Sequence, residues 1–172
     1  MADVAPARFP SGLIVGRFDP PHRGHSFMIE WAAERVGDLV VYVNSGAGDA
    51  APGRLRAAWL DELHPAVAVI EVRHDLPTDF GDDGLWERWM TLFRRHWPHG
   101  EGPHAVFSSE PYVDGIARRF GAEPVVVDAD RITVPVSATM IRTAPADHLD
   151  QLDPPVREWV RANWVDGTVR GP

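Results

Sequence analysis

The chain has 172 residues, 25 acidic against 17 basic side chains, 44% hydrophobic residues and no cysteine. This is the size and composition of one globular domain with a real core, so the expectation is a single domain over 1–172 with a flexible start at 1–11. It excludes a disulfide framework, a thiolate metal site and a cysteine nucleophile, and a net charge of -8 argues against a nucleic-acid backbone binder.

Every basic side chain is an arginine, and the chain contains no lysine. A Walker A loop, a Schiff base and a lysine general base are therefore excluded. Any phosphate clamp must be made of arginine forks, histidine and backbone N–H groups. MADVAPARFP shows no charged start leading into an apolar run, and no apolar stretch approaches the roughly 18 residues of a membrane span. The expectation is a soluble, cytoplasmic protein with neither membrane nor nucleic acid as a partner.

In chain order, 12–16 (GLIVG) predicts a buried strand, and Pro20-Pro21 interrupts any regular element at that point. A helical period over 24–36 precedes a second strand at 39–43 and a small-residue loop at 44–53. A helix is predicted at 54–63, a strand at 67–72, a turn-rich loop at 76–84 and a tryptophan-rich helix at 85–96. Then come a strand at 105–107, a helix at 112–120, a strand at 125–127 and two C-terminal helices near 137–143 and 155–164. Continuous apolar strands alternating with helices predict an α/β fold, a Rossmann-like doubly wound five-stranded parallel sheet with C-terminal helices. Ligands of such sheets bind at the carboxyl ends of the strands, which directs attention to 16–25, 44–54, 73–86, 108–111 and 128–142.

Two of those places carry motifs. Gly16-Arg-Phe-Asp-Pro-Pro-His-Arg-Gly-His25 joins the first strand to the first helix. His22 and His25 lie on one face of a helix start, with Gly24 between them to admit a ligand close to the backbone. Free N–H groups and the positive end of the helix dipole favour an anion there. No dinucleotide-type G-x-G-x-x-G comes after the strand, and no third ligand has zinc spacing, so no protein metal site is expected. The second motif is Asp128-Ala-Asp-Arg131 with Val136-Ser-Ala-Thr-Met-Ile-Arg142 after it. Ser137 can cap a short helix bearing Thr139 and Arg142, a second phosphate cradle. Taken singly, each motif is also compatible with a polar loop or an ordinary capped helix.

Together, G-R-F-x-P-x-H-x-G-H and S-x-T-x-I-R resemble the nucleotidylyltransferase superfamily that shares H-x-G-H. The nearest resemblance is to the adenylyltransferase domain of NadR-type proteins, which join ATP and nicotinamide mononucleotide into NAD. It runs over about 12–160, through Arg54-Leu-Arg56 with Trp59, Leu85-Trp-Glu-Arg-Trp89 and Val106-Phe-Ser-Ser-Glu-Pro111. The resemblance implies His22, His25 and Arg142 as catalytic contacts to the triphosphate. It implies a nucleotide site made of Gly16, Arg17, Phe18, Gly24, Ser137, Thr139 and Arg142. It further implies an acceptor site with Asn44, Arg54, Arg131 and Trp86, whose ring would stack on nicotinamide. Mg²⁺ is expected with the nucleoside triphosphate, ATP or CTP, and the second partner is a small phosphate or phosphonate acceptor.

The residues leave alternatives open. Leu85, Trp86, Trp89, Met90 and Phe93 recur at helical spacing, which by itself means a packed face. The glycine-rich 44–53 loop would also suit a small dianion, as in CTP-dependent cytidylyltransferases that activate phosphonoformate. A catalytically idle nucleotide sensor is a third reading. A homo-oligomer is left open.

Overall fold

The computed structural model describes residues 8–167. Its centre is a five-stranded sheet, all parallel, in the order β3-β2-β1-β4-β5. The strands are β1 (Phe9–Gly16), β2 (Val36–Ser45), β3 (Ala68–Arg73), β4 (Ala105–Ser108) and β5 (Glu123–Val126). The helices are α1 (Arg23–Ala33), α2 (Gly53–Leu63), α3 (Asp83–His96), α4 (Val113–Phe120), α5 (Ala138–Thr143) and α6 (Pro154–Val160). This is the Rossmann-like doubly wound arrangement expected from the alternation of strands and helices. Among the described residues no helix is long and apolar enough to cross a membrane.

The two-residue period of a strand divides the core into two layers. Ile14, Val41, Val43 and Phe107 face one side and pack with Met28, Ile29 and Ala32 of α1 and Leu60 of α2. Leu13, Val15, Val40, Tyr42 and Val106 face the other and pack with α3 and α4 through Trp86, Met90, Phe93, Ile116 and Ala117. The chain changes faces between β3 and β4, so the ends of β1 and β4 diverge and open a crevice. A third cluster joins Trp59 of α2 to Ile141 of α5 and Val156 and Val160 of α6. It holds α5, whose Ala138, Thr139 and Arg142 line the crevice.

Several boundaries differ from the sequence expectation. Of the start expected to be flexible, residues 1–7 lie outside the described residues, whereas Phe9, Pro10 and Ser11 are strand. The reason is pairing: Phe9 aligns with Val36 and Ser11 with Asp38, which lengthens β1 and β2 together. That extension ends α1 at Ala33 and starts β2 three residues before the predicted 39. β5 is shifted to Glu123–Val126 by its register with β4. The last helix ends at Val160 and continues as a wider turn over Arg161–Val165.

Candidate active site

The first motif folds into a compact cap. His22 is the N-cap of α1, and its Nδ1 accepts the N–H groups of Gly24 at 3.0 Å and His25 at 3.4 Å. His25 Nδ1 in turn accepts the N–H of His22 at 3.2 Å. This is a capping box in which imidazole replaces the usual hydroxyl and carboxylate. The two rings stack at 3.7 Å between centroids, and Phe18 lies edge-on to His25 at 4.7 Å. Gly24 is required by contact: a Cβ there would sit 2.9 Å from His22 Cε1.

Both imidazoles are neutral. Burial, with the charge of Arg131 second, lowers His22 from 6.5 to about 3. Burial, then His22 and Arg131, lowers His25 well below its ordinary value. A nitrogen that accepts a hydrogen bond carries no proton, so each ring bears its proton on Nε2. Among the described residues no protein group engages either Nε2, and both rings line a cleft of about 600 Å³. Two Nε2–H donors are thus presented to whatever occupies it.

The same end of the cleft holds the arginines. Arg142 on α5 donates Nη1 to the carbonyl of Asp19 and Nη2 to Thr139 Oγ1 at 3.3 Å, tying α5 to the loop after β1. Ser137 caps α5 by accepting the N–H of Met140 at 3.2 Å. Arg131 donates to Glu110 at 2.8 Å from a loop folded around Asp128, whose carboxylate accepts the amides of Ile132, Thr133 and Val134. Those amide bonds, that of Thr133 first, hold Asp128 below the usual carboxylate range. Arg17 reaches Asp49 at 3.0 Å. The structure therefore brings Gly16, Arg17, Phe18, His22, Gly24, His25, Asn44, Trp86, Arg131, Ser137, Thr139 and Arg142 to one cleft. Asn44, near the end of β2, keeps a buried Oδ1 with no hydrogen-bond partner, an open valence toward the cleft.

Arg54 is the exception. It is exposed on α2 and does not line the cleft. The neighbouring Arg56 is instead fully buried and donates to the carbonyls of Arg17, Asn44 and Ala51 and to the Asp49 carboxylate. The signal was present in the sequence: Arg56, Trp59, Leu60 and Leu63 share one helical face, and Arg54 falls across from it. Asp49 responds to this setting; burial pushes its carboxyl up, but the Gly46 amide and the two arginines bring it below its ordinary value. Asp19 was missed as well. It is buried, and its carboxylate accepts the amides of Ala50 and Ala51 at 2.8 Å each, fastening the 46–52 loop to the loop after β1.

The opposite end of the cleft is aromatic, with Phe80, Trp86, Trp89, Phe93 and Tyr112. Trp86 is 8% exposed. The Arg119 guanidinium lies 4.1 Å over its ring. Gly115 lets the far edge of the indole approach, since a Cβ there would meet Trp86 at 2.8 Å. Trp86 is in the cleft wall, with less open ring face than the resemblance implies. His74, which burial pushes below its usual range, packs on Trp89 at 4.4 Å and closes the edge.

Residues 13–54, which contain β1, α1 and β2, match the cytidylyltransferase-like family model. A nicotinamide-nucleotide adenylyltransferase of Aeropyrum pernix is 52% identical over 33 residues, 19% of either chain. A NadR protein solved with NAD and AMP-PNP superposes with a TM-score of 0.63 at 23% identity, over 83% of this chain and 44% of that one. A NadR protein solved with NR gives 0.60 at 24% identity, over 85% and 44%. A bifunctional NMN adenylyltransferase/ADP ribose pyrophosphatase from Francisella tularensis gives 0.54 at 14%, over 70% and 38%. Residues 13–54 are therefore similar to the cytidylyltransferase-like family, and the likeness to the NadR proteins is one of fold. The chain spans less than half the length of these solved relatives, and at such identities their likeness carries the fold. His22 and His25 lie within the matched 13–54 segment.

Proposed function

We propose that this chain is a nucleotidylyltransferase that joins ATP and nicotinamide mononucleotide into NAD with release of pyrophosphate. The observation that carries the reading is the pair of neutral imidazoles held through Nδ1, each with an Nε2–H left for a ligand. In the proposed reaction an acceptor phosphate oxygen attacks the α-phosphorus in line. The new P–O bond forms as the bond to the leaving bridging oxygen breaks, and pyrophosphate departs with that electron pair. No side chain needs to act as nucleophile. The chain's residues position the phosphates and meet the developing charge. His22 and His25 donate to triphosphate oxygens, Arg142, Ser137 and Thr139 hold the outer phosphates, and Arg17 and Arg131 close the mouth.

The donor set fits Mg²⁺ carried by the triphosphate. Asp19, Asp49, Glu110 and Asp128 are already engaged by amides or arginines. Among the described residues no cluster of three His, Asp or Glu side chains is placed to hold a metal ion. When bound, the ion supplies charge neutralisation on substrate oxygens and water.

The aromatic end supports the nicotinamide nucleotide over a small phosphonate. The cleft volume of about 600 Å³ suits two sizeable ligands or one dinucleotide product. A compact dianion would leave Phe80, Trp86 and Trp89 unfilled. The cytidylyltransferase-like family and the nicotinamide-nucleotide adenylyltransferase relative carry the names of different nucleotides, so the base is decided by assay.

The deciding experiment is a pyrophosphate-release assay with Mg²⁺. It crosses ATP, CTP, GTP and UTP with nicotinamide mononucleotide, nicotinate mononucleotide and phosphonoformate. Signal with ATP and nicotinamide mononucleotide is the expected result. Signal only with CTP and phosphonoformate replaces the acceptor assignment, and silence with every pair removes transfer altogether.

A further inference from the structure

Trp86 and Trp89 are separated by one helical turn on α3, and both spend their indole N–H on the same neighbouring segment. Trp86 Nε1 donates to the carbonyl of Phe80 at 3.1 Å, and Trp89 Nε1 to the carbonyl of Pro77 at 2.9 Å. The segment is pinned at its ends too. Leu76 N–H donates to His74 Nδ1 at 3.2 Å, Gly81 N–H to Asp79 at 2.9 Å, and Asp82 caps α3 by accepting from Leu85. Residues 77–80 form a strap across the acceptor end of the cleft.

Pro77, Thr78, Asp79 and Phe80 of the strap all line the cleft, and Phe80 is its one aromatic side chain. Phe80 is 56% exposed, an apolar ring left facing water. It lies against Tyr112 at 6.0 Å and 27°, and against Trp86 at 5.7 Å and 33°. Tyr112 is itself fixed, its hydroxyl donating to the carbonyl of Val15 at 3.1 Å. Trp86, by contrast, is buried beneath Arg119. An exposed aromatic face at the wall of a cleft is the surface on which a ligand ring removes most apolar area from water. An electron-rich face also attracts a cationic ring such as a pyridinium.

We infer that Phe80 is the platform for the acceptor's ring, and that Trp86 and Trp89 are positioning residues that fasten the strap carrying it. The inference rests on the proposal that nicotinamide mononucleotide is the acceptor. Tryptophan spaced three residues apart then acts through its N–H donors, and phenylalanine supplies the contact face.

The test begins with wild-type turnover of ATP and nicotinamide mononucleotide, separating the two readings. Its absence removes the acceptor assignment and the platform together. With turnover present, Phe80→Ala raises the KM for nicotinamide mononucleotide about tenfold, as loss of one stacking contact does, and leaves the KM for ATP within about twofold. Phe80→Tyr restores the acceptor KM. An unchanged acceptor KM in Phe80→Ala, or an equal rise in both KM values, overturns the platform. The fastening is read separately in the ¹⁵N–¹H indole signals. Trp86 and Trp89 Nε1–H exchange slowly with water in the wild type. In Trp89→Phe, which keeps a ring but loses the donor, Trp86 exchanges faster and the acceptor KM rises. Exchange of both wild-type signals at the rate of a free indole overturns it.

Discussion

The two ends of the cleft are built by different means. The end proposed to hold the phosphates is made largely within a few residues of chain: His22 caps α1 through Gly24 and His25, and His25 caps back onto His22. The end proposed for the acceptor is assembled across long separations, with Phe80 on Tyr112, Trp89 on His74 and Asn44 at the end of β2. Phosphate chemistry needs a few donors at set distances, which a helix N-terminus with two imidazoles supplies locally. Recognition of an acceptor needs a shaped surface, which only packing of distant segments provides. A motif can therefore mark the first end while saying little about the second.

The largest expected effect tests the phosphate end. His25→Ala removes one Nε2–H donor and the acceptor for the His22 amide. Turnover should fall by about 10²–10³, the usual loss of one donor to developing charge, while the far-ultraviolet spectrum stays native. Turnover at the wild-type rate would falsify the role given to the pair. Gly24→Ala acts at the same place through sterics. A Cβ 2.9 Å from the His22 ring forces that ring to move, and kcat should fall further than the KM for nicotinamide mononucleotide rises.

Arg56 joins the two ends, because its guanidinium reaches the carbonyls of both Arg17 and Asn44. Arg56→Met leaves Asp49 without its buried partner and should cost about 3–5 kcal/mol in urea denaturation. A loss below about 1 kcal/mol would show that the loops hold each other without it.

The histidines set a smaller, pH-dependent effect. The unfolded chain protonates His22 near 6.5, and the folded protein resists until about 3. The folded state thus binds fewer protons in that interval. His22 contributes stability above pH 6.5 that is lost as pH falls through the window. Urea midpoints measured from pH 7 to pH 4 should fall more steeply for the wild type than for His22→Gln. Equal slopes would mean that the imidazole is not held neutral. The smallest effect belongs to Arg54→Ala. With Arg54 exposed and outside the cleft, acceptor KM and stability should stay at wild-type values, within about 0.5 kcal/mol for stability. A clear rise in acceptor KM would return Arg54 to the acceptor site.

What was legible in the amino-acid order is whatever rests on near neighbours. Apolar runs such as Leu13-Ile-Val15 and Leu39-Val-Val-Tyr-Val43 reveal buried parallel strands, and their alternation with amphipathic helices reveals the doubly wound sheet. The H-x-G-H spacing reveals two histidines together at a helix start, and the structure adds that they cap it through each other. Tertiary structure decided the rest. The early start of β1 at Phe9 depends on pairing with Val36, and no local propensity records that partner. The helical face shared with Trp59 and Leu60 marks Arg56 as inward, but which carbonyls it serves depends on α2 packing against the loops after β1 and β2. Whether Trp86 offers a ring face or an N–H depends on Arg119 and Phe80, brought to it from α4 and the strap. A side chain's chemistry is written at its own position, but the face it presents is set by what the fold places against it.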